Sequence, residues 1–321
     1  RQLLPSPDGL LFHIAAPNIW NLMMDLSEFE KNNSANLTLI SKVPELAKQE
    51  ACWLGIDEAG RGPVLGPMVY GTCYSPLCLK EDIQSMGLVD SKTTTEEQRE
   101  ELFSKIEEAS DKIGWMIEVL SPNYISNSML RRYKYNLNAL SHDTAIGMIK
   151  KTIEMGVNLK EVYVDTVGDA TKYQAKLQEI FPDLTITVEP KADATYTVVS
   201  AASICAKVAR DKAVKTWQFR EGLPEDLKYG SGYPNDPDTK TFMASQINHV
   251  FGYPQFVRFS WSTASKLLEE KAAAAHWDDD EDAENPKKPT VMSMFKAKTE
   301  DPKFKRHIFF NERCLKSVCN L

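Results

Sequence analysis

Ala51-Cys52-Trp53-Leu54-Gly55-Ile56-Asp57-Glu58 runs directly into Ala59-Gly60-Arg61-Gly62-Pro63-Val64-Leu65-Gly66-Pro67, and the reading of these seventeen residues decides the fold. The apolar run 51–56 suits a pleated, buried surface and reads as a strand ending at Asp57. The Gly/Pro stretch that follows reads as a turn of hairpin type, and residues 68–74 return as a second strand.

Outward from this pair the pattern changes period. Residues 96–110 are amphipathic, with Thr93, Thr94 and Thr95 available as caps. Residues 136–154 form a longer expected helix with apolar Leu137, Leu140, Ala145, Met148 and Ile149. A strand over 161–165, a helix over 171–180 and a strand over 184–188 have β-α-β spacing, which makes the two strands neighbours in one sheet. A helix over 197–217 carries Val198, Ala201, Ala202, Cys205, Val208 and Ala209 on one side and Lys207, Arg210 and Lys212 on the other. A leading hairpin plus later β-α-β units predicts an α/β fold, a mixed sheet flanked by helices.

The ends read differently. Residues 27–46 are polar and irregular, and Met23-Met24-Asp25 marks an expected native start, with 1–22 an upstream extension. After a Gly/Pro-rich loop over 229–237, helices are expected over 239–250 and 262–276. The expected organisation is an N-terminal extension (1–46, partly disordered), a catalytic domain (47–235), a helical C-terminal extension (236–277), an acidic flexible linker (278–302) and a docking segment (303–321) that carries Ile308-Phe309-Phe310.

Composition excludes several classes. The 321 residues are 42% hydrophobic and 26% charged, ordinary for a globular chain, with no internal repeat. No window holds the roughly 18 consecutive apolar residues of a membrane helix, so no membrane partner is expected. The net charge of −7 is localised: Asp278 to Glu284 carries six negative charges, and −1 remains for everything else. A nearly neutral body neither demands nor forbids nucleic acid, since phosphate affinity follows where Lys and Arg cluster. The six cysteines show no zinc-ligand spacing and read as reduced thiols of a cytosolic or nuclear protein.

The chemistry lies in the carboxylates. Asp57 ends one strand with Glu58 immediately after it, Asp165 ends another, and Asp193 precedes a helix. Strand ends are where α/β sheets form their sites, so these four are expected to converge. Oxygen donors without His or Cys suit Mg²⁺ or Mn²⁺ better than Zn²⁺. Two such cations about 3.5–4 Å apart would flank the oxygens of an in-line phosphodiester hydrolysis. Taken singly, each Asp is read equally well as a strand end or a helix cap.

Two glycines astride Arg61 allow close backbone approach to a ligand, with Arg61 meeting a phosphate or fixing the loop. As a dinucleotide signature the loop is poor, because Pro63 and Pro67 prevent the helix that would receive a pyrophosphate. Ser141-His142-Asp143 is no triad, since adjacent helical residues point in different directions. Thr290 to Phe295 only loosely matches a sliding-clamp peptide, lacking the Gln and paired aromatics.

The segment Gly55 to Pro67 resembles the opening motif of type 2 ribonuclease H, the ribonuclease HII family. Asp90-Ser91-Lys92, Val164-Asp165-Thr166-Val167-Gly168, Lys191-Ala192-Asp193, the stretch Ser200 to Asp211 and Gly230-Ser231-Gly232-Tyr233-Pro234 match its later motifs in order. The resemblance implies a ribonuclease H-like fold with Asp57, Glu58, Asp165 and Asp193 as catalytic carboxylates holding two Mg²⁺ or Mn²⁺ ions. It also implies that Gly60, Arg61 and Gly62 recognise a ribose 2′-hydroxyl, that Tyr233 stacks at the RNA-to-DNA junction, and that Lys92, Lys207 and Arg210 line the phosphate path. The implied substrates are RNA/DNA hybrids and DNA containing ribonucleotides. The length and acidic interruption are similar to the eukaryotic branch, which implies two accessory subunits in a heterotrimer and a nuclear location, with Lys287-Lys288 and Lys303 to Arg306 as weak import signals. Alternatives are another acidic-site nuclease of this fold with no 2′-hydroxyl requirement, or an inactive hybrid-binding scaffold.

Overall fold

A computed structural model describes residues 24–88, 94–224 and 227–273. Six strands form one mixed sheet: β1 (Leu37–Ile40), β2 (Cys52–Ala59), β3 (Met68–Pro76), β4 (Gly114–Leu120), β5 (Leu159–Asp165) and β6 (Thr185–Glu189). Their order across the sheet is β1-β4-β3-β2-β5-β6. The first four pair antiparallel, whereas β5 lies parallel to both β2 and β6. The hairpin and the β-α-β unit expected from sequence therefore meet at β2, the central strand on which the site is built.

The helices in chain order are α1 (Ser27–Lys31), α2 (Glu45–Gln49), α3 (Lys80–Ser85), α4 (Glu96–Glu108), α5 (Pro122–Met129), α6 (Leu137–Glu154), α7 (Ala170–Ile180), α8 (Ala192–Thr195), α9 (Thr197–Lys215), α10 (Pro237–Ser245) and α11 (Ser262–Lys271). Local chemistry sets several starts. Thr95 and Gln98 close a reciprocal capping box on α4, and Asn136 and Asp169 accept from the third residue of α6 and α7. None of the described helices is long and apolar enough to cross a membrane.

Alternation along β2 sends Trp53 and Ala59 into a core with α4 and α9, and Leu54 and Ile56 into a core with α6 and α7. Helix α9 lies unusually close to the sheet. A Cβ on Gly55 would come within 2.4 Å of the Val198 backbone, and one on Gly71 within 2.3 Å of the Ala202 carbonyl oxygen. At Gly71, α9 presents Ala202 and Ala206, both buried. Small residues on both partners bring the helix down onto β3 and onto β2, the strand that carries Asp57 and Glu58.

Several expectations change. Residues 27–46 are not irregular: β1 extends the sheet beyond β4, but at four residues its period is too short to read. Helix α10 ends at Ser245, and beyond it the Asn248 side chain accepts from the Val250 and Phe251 amides, both at 2.9 Å, in a turn where a helix to residue 250 was expected. Helix α11 ends at Lys271. Within the stretch 236–273, Phe242, Met243, Tyr253, Phe256, Val257 and Ala264 pack with Val64 and Leu65 of the glycine loop in a third core. Residues 1–23, the acidic run, Thr290 to Phe295 and the docking segment lie outside the described residues.

Candidate active site

Strand β2 does not end at Asp57 but continues through Glu58 to Ala59, so the two carboxylates leave opposite faces of the sheet. Asp57 is buried on the α9 side, where Ser203 hydrogen-bonds it, and it accepts the Glu58 amide at 2.7 Å. Glu58 lies on the α6/α7 side, near Tyr70 and Tyr173; burial, and then its charge, push both phenols up from their ordinary value.

Parallel pairing of Ile56 with Val164 brings Asp165 alongside Asp57. One Asp165 oxygen accepts the Thr166 amide at 3.1 Å and the Ala192 amide at 3.2 Å, which ties the end of β5 to the start of α8. Lys191 makes that turn with φ of 60°, a left-handed conformation that is costly for a side chain with a Cβ. Asp193, in the one-turn helix α8, is 3% exposed. Sequence placed it at the edge of the long helix; the structure gives it a helix of its own.

Burial pushes the Asp57 carboxyl up to about 7, and the charges of Asp165 and Asp193 add to the effect. Three carboxylates therefore share one field. Among the described residues, however, no three Asp, Glu, His or Cys side chains are drawn close enough to hold a metal ion. Mutual repulsion opposes such closure.

Beside the carboxylates lies the glycine loop. Gly60 has φ of 74°, and Arg210 packs so closely that a Cβ there would lie 2.5 Å from its Nε. Arg61 turns away from the loop and donates to Ser141 Oγ and Asn138 Oδ1 of α6, each at 2.5 Å. These two bonds tie the glycine loop to the start of α6. The glycine loop also meets the tyrosine loop: Val64 donates to the Gly232 carbonyl at 2.8 Å, and a Cβ on Gly62 would lie 3.1 Å from the Tyr233 ring. That ring is 53% exposed. Arg210 has a buried Nε with no hydrogen-bond partner and lines, with Arg99, Lys215, Ser231 and Gly232, a cleft of about 410 Å³. Lys207 is half-buried one turn earlier on α9, and Lys92 lies outside the described residues.

Sequence reading missed Arg258. Its side chain is fully buried and donates to the carbonyls of Gly66 at 2.8 Å, Arg61 at 3.0 Å and Gly60 at 2.6 Å. Trp261 stacks on it at 4.8 Å and donates to the Gly62 carbonyl at 3.2 Å. The carbonyl side of the loop is thus closed from behind. Burial, then repulsion from Arg210, pushes the Arg258 pKa down to about 9, which leaves it a cation at neutral pH. An arginine within Gln255-Phe256-Val257-Arg258-Phe259-Ser260-Trp261 was the available signal, because a charge in so apolar a run needs buried acceptors. Ser141-His142-Asp143 is dispersed as expected: Ser141 takes Arg61, His142 stacks on Tyr173 at 3.8 Å, and Asp143 accepts from Tyr135.

The family model described as Ribonuclease HII matches residues 54–264, the span that contains the carboxylates, the glycine loop and Arg258. The chain belongs to the ribonuclease HII family. Its similarity extends over nearly the whole length of curated relatives. It is 52% identical over 303 residues to a ribonuclease H2 subunit of Mus musculus, covering 93% of this chain and 100% of the relative. The protein of the same name from Homo sapiens is 53% identical over 301 residues, with 93% and 100% covered. Among solved structures, ribonuclease H2 from Pyrococcus horikoshii OT3 matches at 31% identity and a TM-score of 0.55, over 68% of this chain and 98% of that one. The ribonuclease HII in a complex with PCNA from Archaeoglobus fulgidus matches at 29% and 0.54, over 71% and 99%. This member of the family is accordingly a ribonuclease H with the ribonuclease H-like fold expected from sequence.

Proposed function

We propose that this ribonuclease H hydrolyses the RNA strand of RNA/DNA hybrids and also incises duplex DNA on the 5′ side of an embedded ribonucleotide, leaving 3′-hydroxyl and 5′-phosphate ends. The observation that carries this reading is the gathering of Asp57, Asp165 and Asp193 beside a glycine loop whose carbonyls are held from behind. With those carbonyls engaged, and with the Val64 and Gly66 amides donating to Gly232 and Phe256, the amides of Gly60, Arg61 and Gly62 are the groups that would meet a ribose 2′-hydroxyl, which separates RNA from DNA.

The residues fit Mg²⁺ or Mn²⁺: the donors are all oxygen, and a bound cation would offset the burial and the like charges of Asp165 and Asp193 that push the Asp57 carboxyl up. Asp57, Asp165 and Asp193 would hold such ions, with Glu58, which leaves the other face of β2, as the fourth expected donor to a pair of them; the ions would supply a water of lowered pKa and neutralise charge on the departing oxygen. Ser203 and the Ala192 amide orient Asp57 and Asp165, while Lys207 and Arg210 hold phosphates of the cleaved strand. Tyr233 offers an exposed ring to the sugar that follows the ribonucleotide. The relatives' designation as one subunit of ribonuclease H2 supports assembly with two accessory chains, and the basic groups near residues 287 and 303–306 support a nuclear location for removal of ribonucleotides and primers from DNA.

The test is cleavage of matched duplexes that differ only in one 2′-hydroxyl. Cutting confined to the ribonucleotide-containing duplex and requiring Mg²⁺ or Mn²⁺ supports the reading; equal cutting of both points to a nuclease of this fold without sugar discrimination.

A further inference from the structure

The loop between α5 and α6 has no part in the chemistry described above. Leu130-Arg131-Arg132-Tyr133-Lys134-Tyr135-Asn136 puts three cations in four residues, and no Asp or Glu occurs from Val119 to His142. In a chain whose net charge is −7, that concentration stands out. Arg131, Arg132 and Lys134 are exposed, and apolar surface is interleaved with them: Leu130 is 60% exposed, Tyr133 38% and nearby Tyr124 39%.

Both ends of the loop are anchored to the site. At its start, Ser126 of α5 accepts the Phe259 amide at 2.9 Å and Met129 meets Ser260 at 3.5 Å, next to the Arg258 support. At its end, Asn136 caps α6, whose first two turns hold Arg61 through Asn138 and Ser141. The Arg131 guanidinium lies 5.4 Å from the centre of the Tyr135 ring, and the Tyr135 hydroxyl donates to Asp143 at 2.8 Å, so the base of the loop is held. Arg210 from α9 packs against Gly60, while Arg61 reaches across to Asn138, two residues beyond the end of this basic loop.

We propose that residues 130–136 form a second nucleic-acid contact, in which Arg131, Arg132 and Lys134 bind the phosphodiester backbone of the duplex away from the scissile bond. The proposal rests on the reading that a nucleic-acid duplex is the substrate. Cations on α9 and on the loop that leads into α6 can engage a duplex at two places, while a contact on α9 alone grips one strand. Phosphate contacts of this kind fix orientation without reading sequence.

Each neutralised phosphate contributes about 0.9 to the slope of log affinity against log salt. Binding of a duplex of about 20 base pairs carrying one ribonucleotide is measured by anisotropy over a salt series, in full-length Asp193→Asn protein with any chains that co-purify. The triple change Arg131→Ala, Arg132→Ala, Lys134→Ala is expected to reduce the slope by about 2 to 3 and weaken binding roughly 10- to 100-fold near 100 mM salt. Arg131→Lys with Arg132→Lys keeps most of the slope, which separates charge from folding. Lys150→Ala, Lys151→Ala and Lys160→Ala, exposed at the far end of α6 and the start of β5, serve as a control of equal charge. A slope change no larger than the control's overturns the proposal, as does loss of co-purifying chains with the slope intact, which would make the loop a protein contact. If protein with an intact Asp193 cuts the ribonucleotide duplex while the slope is unmoved, only the loop assignment falls; if it cuts nothing, the functional reading falls with it.

Discussion

Arg258 Nη2 donates to the carbonyl oxygen of Gly60 at 2.6 Å, linking the C-terminal helical stretch to the loop beside the carboxylates. With its bonds to Arg61 and Gly66, one buried guanidinium holds three carbonyls that no neutral side chain could satisfy together. Arg258→Ala should lose about 3 kcal/mol of stability, since each buried carbonyl left without a donor costs about 1–3 kcal/mol. Arg258→Lys should fail to restore activity, because an ammonium lacks the planar fork. Denaturant midpoints and kcat/KM check both; a lysine variant with full activity would reduce the role of Arg258 to charge.

Close approach of α9 makes a second prediction. Gly71→Ala sets a methyl against the Ala202 carbonyl oxygen, where an ideal Cβ lies at 2.3 Å. Overpacking of this kind costs about 1–3 kcal/mol. Because the shift also moves Ser203 relative to Asp57, kcat should fall by more than KM rises. Loss of stability with unchanged kcat would show that the two are uncoupled.

The raised pKa of Asp57 predicts how metal-free protein responds to pH. Its folded value of about 7 exceeds the ordinary 3.8, so between these limits the folded state holds the proton more tightly than the unfolded state. Stability from this group is complete below the lower value and is lost as pH rises through the upper one. With metal chelated, Tm should drop between about pH 4 and 7, and Mg²⁺ should raise it most at the alkaline end. Asp57→Asn should flatten both trends; a variant with the same pH dependence would place the effect elsewhere.

Tyr233 is exposed above Gly62 and is expected to act through its ring. Tyr233→Phe should keep most activity on a single-ribonucleotide duplex, whereas Tyr233→Ala should lose roughly 10- to 100-fold, the scale of one aromatic stacking contact. Equal losses in the two variants would assign the role to the hydroxyl.

Much of this architecture was legible because its signals are local. The apolar run before Asp57, the proline-bounded return to Met68 and the β-α-β spacing around Asp165 each carry their own period. Strand β1 was not, because four residues among Asn and Ser make no pattern until β4 pairs with them. Glu58 could be named from sequence, but its position across the sheet from Asp57 depends on β2 continuing to Ala59. Arg258 lies 198 residues from its Gly60 partner, and only the packing of Phe256 and Val257 on Val64 and Leu65 brings them together.

The central claim is tested most directly by an end-labelled DNA duplex carrying one ribonucleotide, incubated with Mg²⁺ and full-length protein together with its co-purifying chains, beside an Asp193→Asn control. The expected result is a single incision 5′ to the ribonucleotide, absent from the control and from an all-DNA duplex. Incision of the all-DNA duplex, or undiminished cutting by Asp193→Asn, would contradict it.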